Sequence, residues 1–144
     1  MERIRSHFEL RVYQFARAAA IKVFNAAKKF PSGERFDLVQ QFIRSSRGVC
    51  ANIAEAWRKR RYPAALIVKL NDAEAEAAET QCWADLAEGY GYIDKATRAD
   101  IVASYEVVLG QLVTMANQAP KWTAGAPGNH PVSQSPSPKL SSPP

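Results

Sequence analysis

Residues 44–62, RSSRGVCANIAEAWRKRRY, carry the second half of an apolar stripe made by Leu38, Phe42, Ser45, Val49, Ile53 and Trp57. Steps of three and four place these side chains on one face of a helix, predicted over 34–60. The stretch then runs into four consecutive cations, Arg58-Lys59-Arg60-Arg61. Just beyond it stands Pro63, which is costly deep inside a helix but cheap at a first turn, so a new helix begins there. That helix runs through Leu66, Leu70, Ala73, Ala77 and Ala84 to Gly89, where Gly89 and Gly91 supply the stop.

The same period extends outward on both sides. Ser6-His7-Phe8-Glu9 reads as a capping box ahead of Val12, Ala16, Ala19, Val23 and Ala27, a helix that ends near Lys29 before Phe30-Pro31-Ser32-Gly33. Asp94 is a plausible cap for a last helix carrying Ile101, Tyr105, Val108, Leu112 and Met115 and ending near Gln118. No strand pattern competes. Three short connections fold each helix back on its predecessor, so the expected fold is all-α, an antiparallel up-and-down four-helix bundle over residues 1–118. Seven of the nine prolines lie after Gln118, and Gly, Ser and Pro dominate from there, so residues 119–144 are expected to be a disordered tail.

Several function classes fall away on composition and motif. The charged opening MERIRSHFEL lacks an apolar leader and no run of about 18 apolar residues is evident, so the expectation is a cytoplasmic protein without a membrane partner. Cys50 and Cys82 lack a CxxC spacing or a neighbouring His and read as reduced core residues, with no metal or other cofactor implied. The histidines, His7 and His130, lie before the first helix and in the tail, so they assemble no catalytic dyad. There is no phosphate-binding Gly-rich loop, GxSxG or HExxH, and Glu74, Glu76 and Glu79 lack the Glu-x-x-His companions of a di-iron cage. A non-enzyme is expected.

The third helix is apolar on two sides. Leu70 and Ala77 occupy one side, and Val68, Ala75, Trp83, Leu86 and Tyr90 the other. One side serves the bundle core; Trp83, Leu86 and Tyr90 on the second are the expected contact with another copy of the chain, or belong to a tilted helix buried within one chain. Charge is unevenly placed too: residues 1–61 hold 14 Lys/Arg against 5 Asp/Glu, and residues 62–118 hold 3 against 9. A hairpin of the second and third helices brings Arg44 level with Glu79 and Arg47 level with Glu76, so ion pairing within or between chains can absorb those arginines. Alternatively Arg44, Arg47, Arg58, Lys59, Arg60 and Arg61, with Arg3 and Arg5, are phosphate contacts to RNA or DNA, with Trp57 and Tyr62 available for stacking. The third reading of the run at 58–61 is a solvated basic helix end that suits the helix dipole.

Residues 44–62 and 72–81, DAEAEAAETQ, resemble the four-helix-bundle proteins known as 23S rRNA intervening-sequence proteins. Phe8-Glu9-Leu10 with Val12-Tyr13, and Phe30-Pro31 before Glu34-Arg35, fit the same pattern, and the likeness spans about residues 8–118. It implies a closed bundle that assembles into a ring, a homopentamer in the family's usual form, and no single established activity. A related branch, the accessory proteins of diversity-generating retroelements, implies a second role: a protein-binding adaptor for a reverse transcriptase. On this pattern Asn52 and Glu55, with Glu76 and Glu79, are structural polar residues at a helix or subunit contact. Cys50, Ala56 and Gly48 stand where the family more often has proline, glycine and serine, changes that a continuous helix survives.

Overall fold

The computed structural model describes residues 3–123. They form four long helices: α1 (Arg11–Ala27), α2 (Leu38–Arg58), α3 (Pro63–Gly89) and α4 (Lys95–Asn117). A short α5 (Ala119–Thr123) follows, and single 3-10 turns occupy His7–Glu9 and Ser32–Glu34. No strand occurs among the described residues. Each long helix packs against its neighbours in sequence, and α1 also packs against α4.

The core is built from small and branched side chains with a few large rings. Val12, Ala16, Ala19 and Val23 of α1 meet Phe42, Val49 and Ile53 of α2, Leu66, Leu70, Ala73, Ala77 and Ala84 of α3, and Ile101, Tyr105, Val108 and Leu112 of α4. Leu66 and Leu70 are completely buried, and each contributes about 2 kcal/mol of apolar burial. Alanines at so many core positions let the helix backbones approach closely. Between α2 and α3 the Ser45 and Thr80 hydroxyls meet at 2.7 Å in the buried interior. Farther along, Lys69 of α3 binds the Glu55 carboxylate of α2 at 2.8 Å. Later residues of α2 therefore face earlier residues of α3.

Several ends differ from their expected form. Ser6 makes no side-chain cap; Glu9 instead accepts the Arg5 N–H at 3.0 Å, a 3-10 turn forms, and α1 begins at Arg11. The second helix begins at Leu38 rather than Glu34, because the Pro31-Ser32-Gly33 turn runs on through a 3-10 turn. Glu34 Oε1 still serves that helix, accepting the Leu38 N–H at 3.3 Å. Asp94 caps α4 as its position suggests, its Oδ1 accepting the Thr97 N–H at 2.8 Å.

The expected domain end at 118 is passed by α5, whose Ala119 and Thr123 are buried. Trp122 sets its ring edge-on to Trp57, with centroids 6.4 Å apart. The remainder of the expected tail, residues 124–144, lies outside the described residues. Cys82 is exposed on α3 and is not a core residue, whereas burial pushes the half-buried Cys50 thiol up. α4 is, by length and composition, apolar enough to cross a membrane. Ile101, Tyr105, Val108, Leu112 and Met115 place one side of it in the core, and Val107 and Val113 stand exposed on the rest.

α3 stops through Gly91 rather than Gly89. Gly91 takes a φ of +82°, its N–H donates to the Glu88 carbonyl and the Tyr92 N–H to the Ala87 carbonyl. These two bonds form a Schellman ending, in which the left-handed residue suits glycine. Gly91→Ala is expected to cost about 1–2 kcal/mol, read as a lower urea midpoint at an unchanged m-value.

Candidate functional site

The connection from α2 to α3 gathers the cations at one end of the bundle. α2 ends where Lys59 takes a non-helical backbone; the chain turns, and Pro63 starts α3 four residues later. The turn holds itself together with its own arginine. Arg60 lays its guanidinium 3.7 Å from the centre of the Trp57 ring and donates from Nη1 to the Trp57 carbonyl at 2.9 Å. Trp57 is buried between this cation and Trp122, so α5 braces the turn from beneath. Burial first, and then the charges of Arg58 and Arg3, disfavour the charged form of Arg60. Three arginines from two separate segments thus lie within one another's field.

Around them stand exposed rings. Arg61 lies 5.4 Å from the centre of the Tyr62 ring, and Tyr62 is 58% exposed. The N-terminal turn packs against α2 and carries Phe8, 62% exposed, in a cluster with His7 and Tyr13. Lys121 adds a further cation beside Trp122. Cations interleaved with open aromatic faces suit a phosphate backbone with unstacked bases.

The six sequence-predicted cations do not form one patch. Arg58, Lys59, Arg60 and Arg61 lie together, but Arg44 and Arg47 are 14 and 11 residues upstream of Arg58, about 21 and 17 Å along a helix. Among the described residues neither makes an ion pair with Glu79 or Glu76. The register is close to that expected, since Ser45 meets Thr80, yet both arginines are exposed and Arg44 lines a groove between the two helices.

Glu76 fills that space instead. A Cβ on Gly48 would stand 2.8 Å from the Glu76 Cδ and 2.9 Å from its Oε2, so the missing side chain admits the carboxyl against α2. Burial, and then the nearby Glu79 charge, push the Glu76 carboxyl above its ordinary pKa, with Arg44 opposing. Glu55 is held the other way by Lys69, whose hydrogen bond and charge lower its pKa. Lys69 also reaches Asn52 Oδ1 at 3.3 Å and Asp72 at 3.6 Å, and Asn52 donates to the Gly48 carbonyl at 2.9 Å. Lys69, absent from the sequence reading, is the hub of this polar cluster; its position level with Glu55 in the hairpin was the available signal.

Trp83, Leu86 and Tyr90 do come together, in a groove of about 600 Å³ at the opposite end of α2 and α3. Phe36, Asp37, Gln40, Gln41, Arg44 and Tyr92 complete its walls. The outermost side of α3 adjoins the groove at Leu86: Val68, Ala75, Ala78, Cys82 and Leu86 are all exposed on it. No group of three or more His, Cys, Asp or Glu side chains that could hold a metal occurs among the described residues.

Comparison with known proteins bears on these surfaces. The family model described as "23S rRNA-intervening sequence protein" matches residues 8–114. A solved structure from Bacteroides thetaiotaomicron, described as a protein with unknown function from the S23 ribosomal protein family, is 27% identical, with a TM-score of 0.67. That likeness covers 73% of this chain and 97% of the other. None of the curated proteins matches.

Glu76 carries a pH prediction. Its folded pKa is raised, so its contribution favours the fold below the unfolded pKa and is lost as pH rises through the folded one. Glu76→Gln is therefore expected to be more stable than the parent at pH 7, with the gap closing on acidification to pH 4. Urea midpoints at the two pH values check it.

Proposed function

This chain belongs to the 23S rRNA-intervening sequence protein family, and from that membership we propose that it is a non-enzymatic, ring-forming scaffold of the cytoplasm whose basic end binds nucleic acid. The carrying observation is the turn between α2 and α3, where Arg58, Lys59, Arg60 and Arg61 sit beside Arg3 and the open Tyr62 ring. Holding like charges together costs free energy in the absence of a polyanion, and a phosphate backbone offsets that cost. In this reading the bundle is antiparallel and up-and-down, and several copies present their basic ends on one rim of a ring. A pentamer is the form the family resemblance suggests.

Self-association is assigned to the apolar outward face of α3, through Val68, Ala75 and Leu86. A soluble chain seldom leaves such a surface wet. Trp83 and Tyr90, turned into the groove, lie beside this face rather than at its centre.

Two measurements separate the parts of this proposal. Filter binding of a structured RNA across a salt series is expected to show affinity that falls as salt rises, and Arg58→Glu with Arg61→Glu should reduce it at least tenfold while the oligomer persists. Loss of the oligomer with RNA affinity unchanged points instead to charged surfaces used in assembly, the adaptor reading. Sedimentation of Val68→Asp with Leu86→Asp is expected to give a folded helical monomer; an unchanged oligomer places the contact elsewhere.

A further inference from the structure

A cyclic ring of more than two copies needs two different faces on every copy, one meeting the neighbour on each side. The outward face of α3 supplies one of them, and its chemistry defines the other. α3 holds Lys69 against six carboxylates, and Asp72 and Glu79 stand exposed along its outward side. Among the described residues Glu79 makes no ion pair and Asp72 reaches only Lys69, at 3.6 Å. Between these acids the surface is hollow, because Ala75, Ala78 and Cys82 are small. Two such faces set against each other would bring carboxylate to carboxylate, so the complement is a basic surface with large apolar side chains.

α1 carries that surface. Its charged residues are Arg11, Arg17 and Lys22, with no acid among them. Lys22 is engaged by Asp100 and Ser104 of α4, at 3.0 and 2.9 Å. Farther round the helix from Lys22, Gln14, Arg17, Ile21, Phe24 and Lys28 recur at steps of three and four, so they form one stripe. All five are exposed. Ile21 is 44% and Phe24 45% exposed, and the Lys28 ammonium lies 4.8 Å from the centre of the Phe24 ring. Arg17 makes no ion pair among the described residues. The outward residues of α2 are by contrast polar, Gln40, Arg44 and Arg47, and those of α4 small, Ala99, Ala103 and Gly110.

The heights agree as well. Burial raises the Cys50 thiol of α2, and the Arg17 charge opposes that from α1, so the two residues are neighbours. The contacts of Ser45 with Thr80 and of Glu55 with Lys69 set Cys50 level with Ala75. Arg17 therefore stands at the height of Ala75, between Asp72 and Glu79. Phe24 lies about 10 Å farther along α1, in the direction in which Phe30 stacks on Phe42. That is the height of Cys82.

We propose that this stripe of α1 is the surface that receives the outward face of α3 from the neighbouring copy, with Phe24 seated over Ala78 and Cys82 and Arg17 between Asp72 and Glu79. Such a contact, which rests on the ring-forming reading above, runs head to tail from copy to copy.

Sedimentation velocity of mixed variants tests it. Ile21→Asp with Phe24→Asp removes the receiving face, and Val68→Asp with Leu86→Asp removes the other. All four side chains are exposed, so both proteins are expected to keep the helical circular dichroism of the parent and to run as monomers. Mixed in equal amounts, they are expected to form a one-to-one dimer that grows no further, because each retains the face its partner lacks. Arg17→Glu should weaken the parent assembly about tenfold, and Glu79→Lys in the same chain should restore it. An Ile21/Phe24 variant that assembles like the parent, a mixture that stays monomeric, or an Arg17→Glu defect that Glu79→Lys leaves unrepaired overturns the proposal. A parent that is itself monomeric overturns the self-association reading first, and this contact with it.

Discussion

The close approach of α2 and α3 is the constraint on which the remaining surfaces depend. It is set by alanines in the core, by the buried Ser45–Thr80 hydroxyl pair, and by the Lys69–Glu55 ion pair nearer the turn. The two hydroxyls share one proton between them, and the other is given to a carbonyl of its own helix: Phe42 for Ser45 or Glu76 for Thr80. Burying a hydroxyl without a partner costs about 1–3 kcal/mol, so this pair allows little sliding. Once the register is held, the turn at 59–62 must project from one end and the groove must open at the other.

Charge separation follows from that geometry. The basic first half and acidic second half neutralise each other only in part: Lys22 of α1 pairs with Asp100 of α4 at 3.0 Å, whereas Arg44 and Arg47 make no ion pair with α3 among the described residues. Arg44 and Arg47 stay exposed, Glu76 occupies the gap at Gly48, and Lys69, a cation of the acidic half, anchors the contact. The basic run is left at the α2–α3 turn, braced by Trp57 and Trp122, while the groove end brings Glu34, Asp37 and Arg44 together. Two ends of one small bundle therefore present different surfaces, cations beside exposed rings at one and a groove lined by rings, carboxylates and Arg44 at the other.

Helix ends were the most legible feature of the sequence. Pro63 and Asp94 mark the starts of α3 and α4 within a residue because a proline ring and a capping carboxylate act on their own neighbours. The misread ends are those where a tertiary contact intervenes. Glu34 is drawn to the Tyr92 hydroxyl across the bundle and serves α2 from outside it, and α5, with Pro120 tolerated in its first turn, is held by the burial of Ala119 and Thr123 and by Trp122 packing on Trp57.

The sequence by itself determined the four helices, their order, the α2–α3 register and the basic run, since each follows from spacing along one chain. Which surfaces those helices expose was decided only in the tertiary structure. α3 carries two apolar sides of similar merit, and its own periodicity cannot rank them; packing against α2 and α4 buries Leu66, Leu70, Ala73 and Ala77 and leaves Val68, Ala75 and Leu86 outside. Rotation about a helix axis is a collective property of the neighbours it packs against, so only the packed bundle placed Trp83 and Tyr90 in one groove.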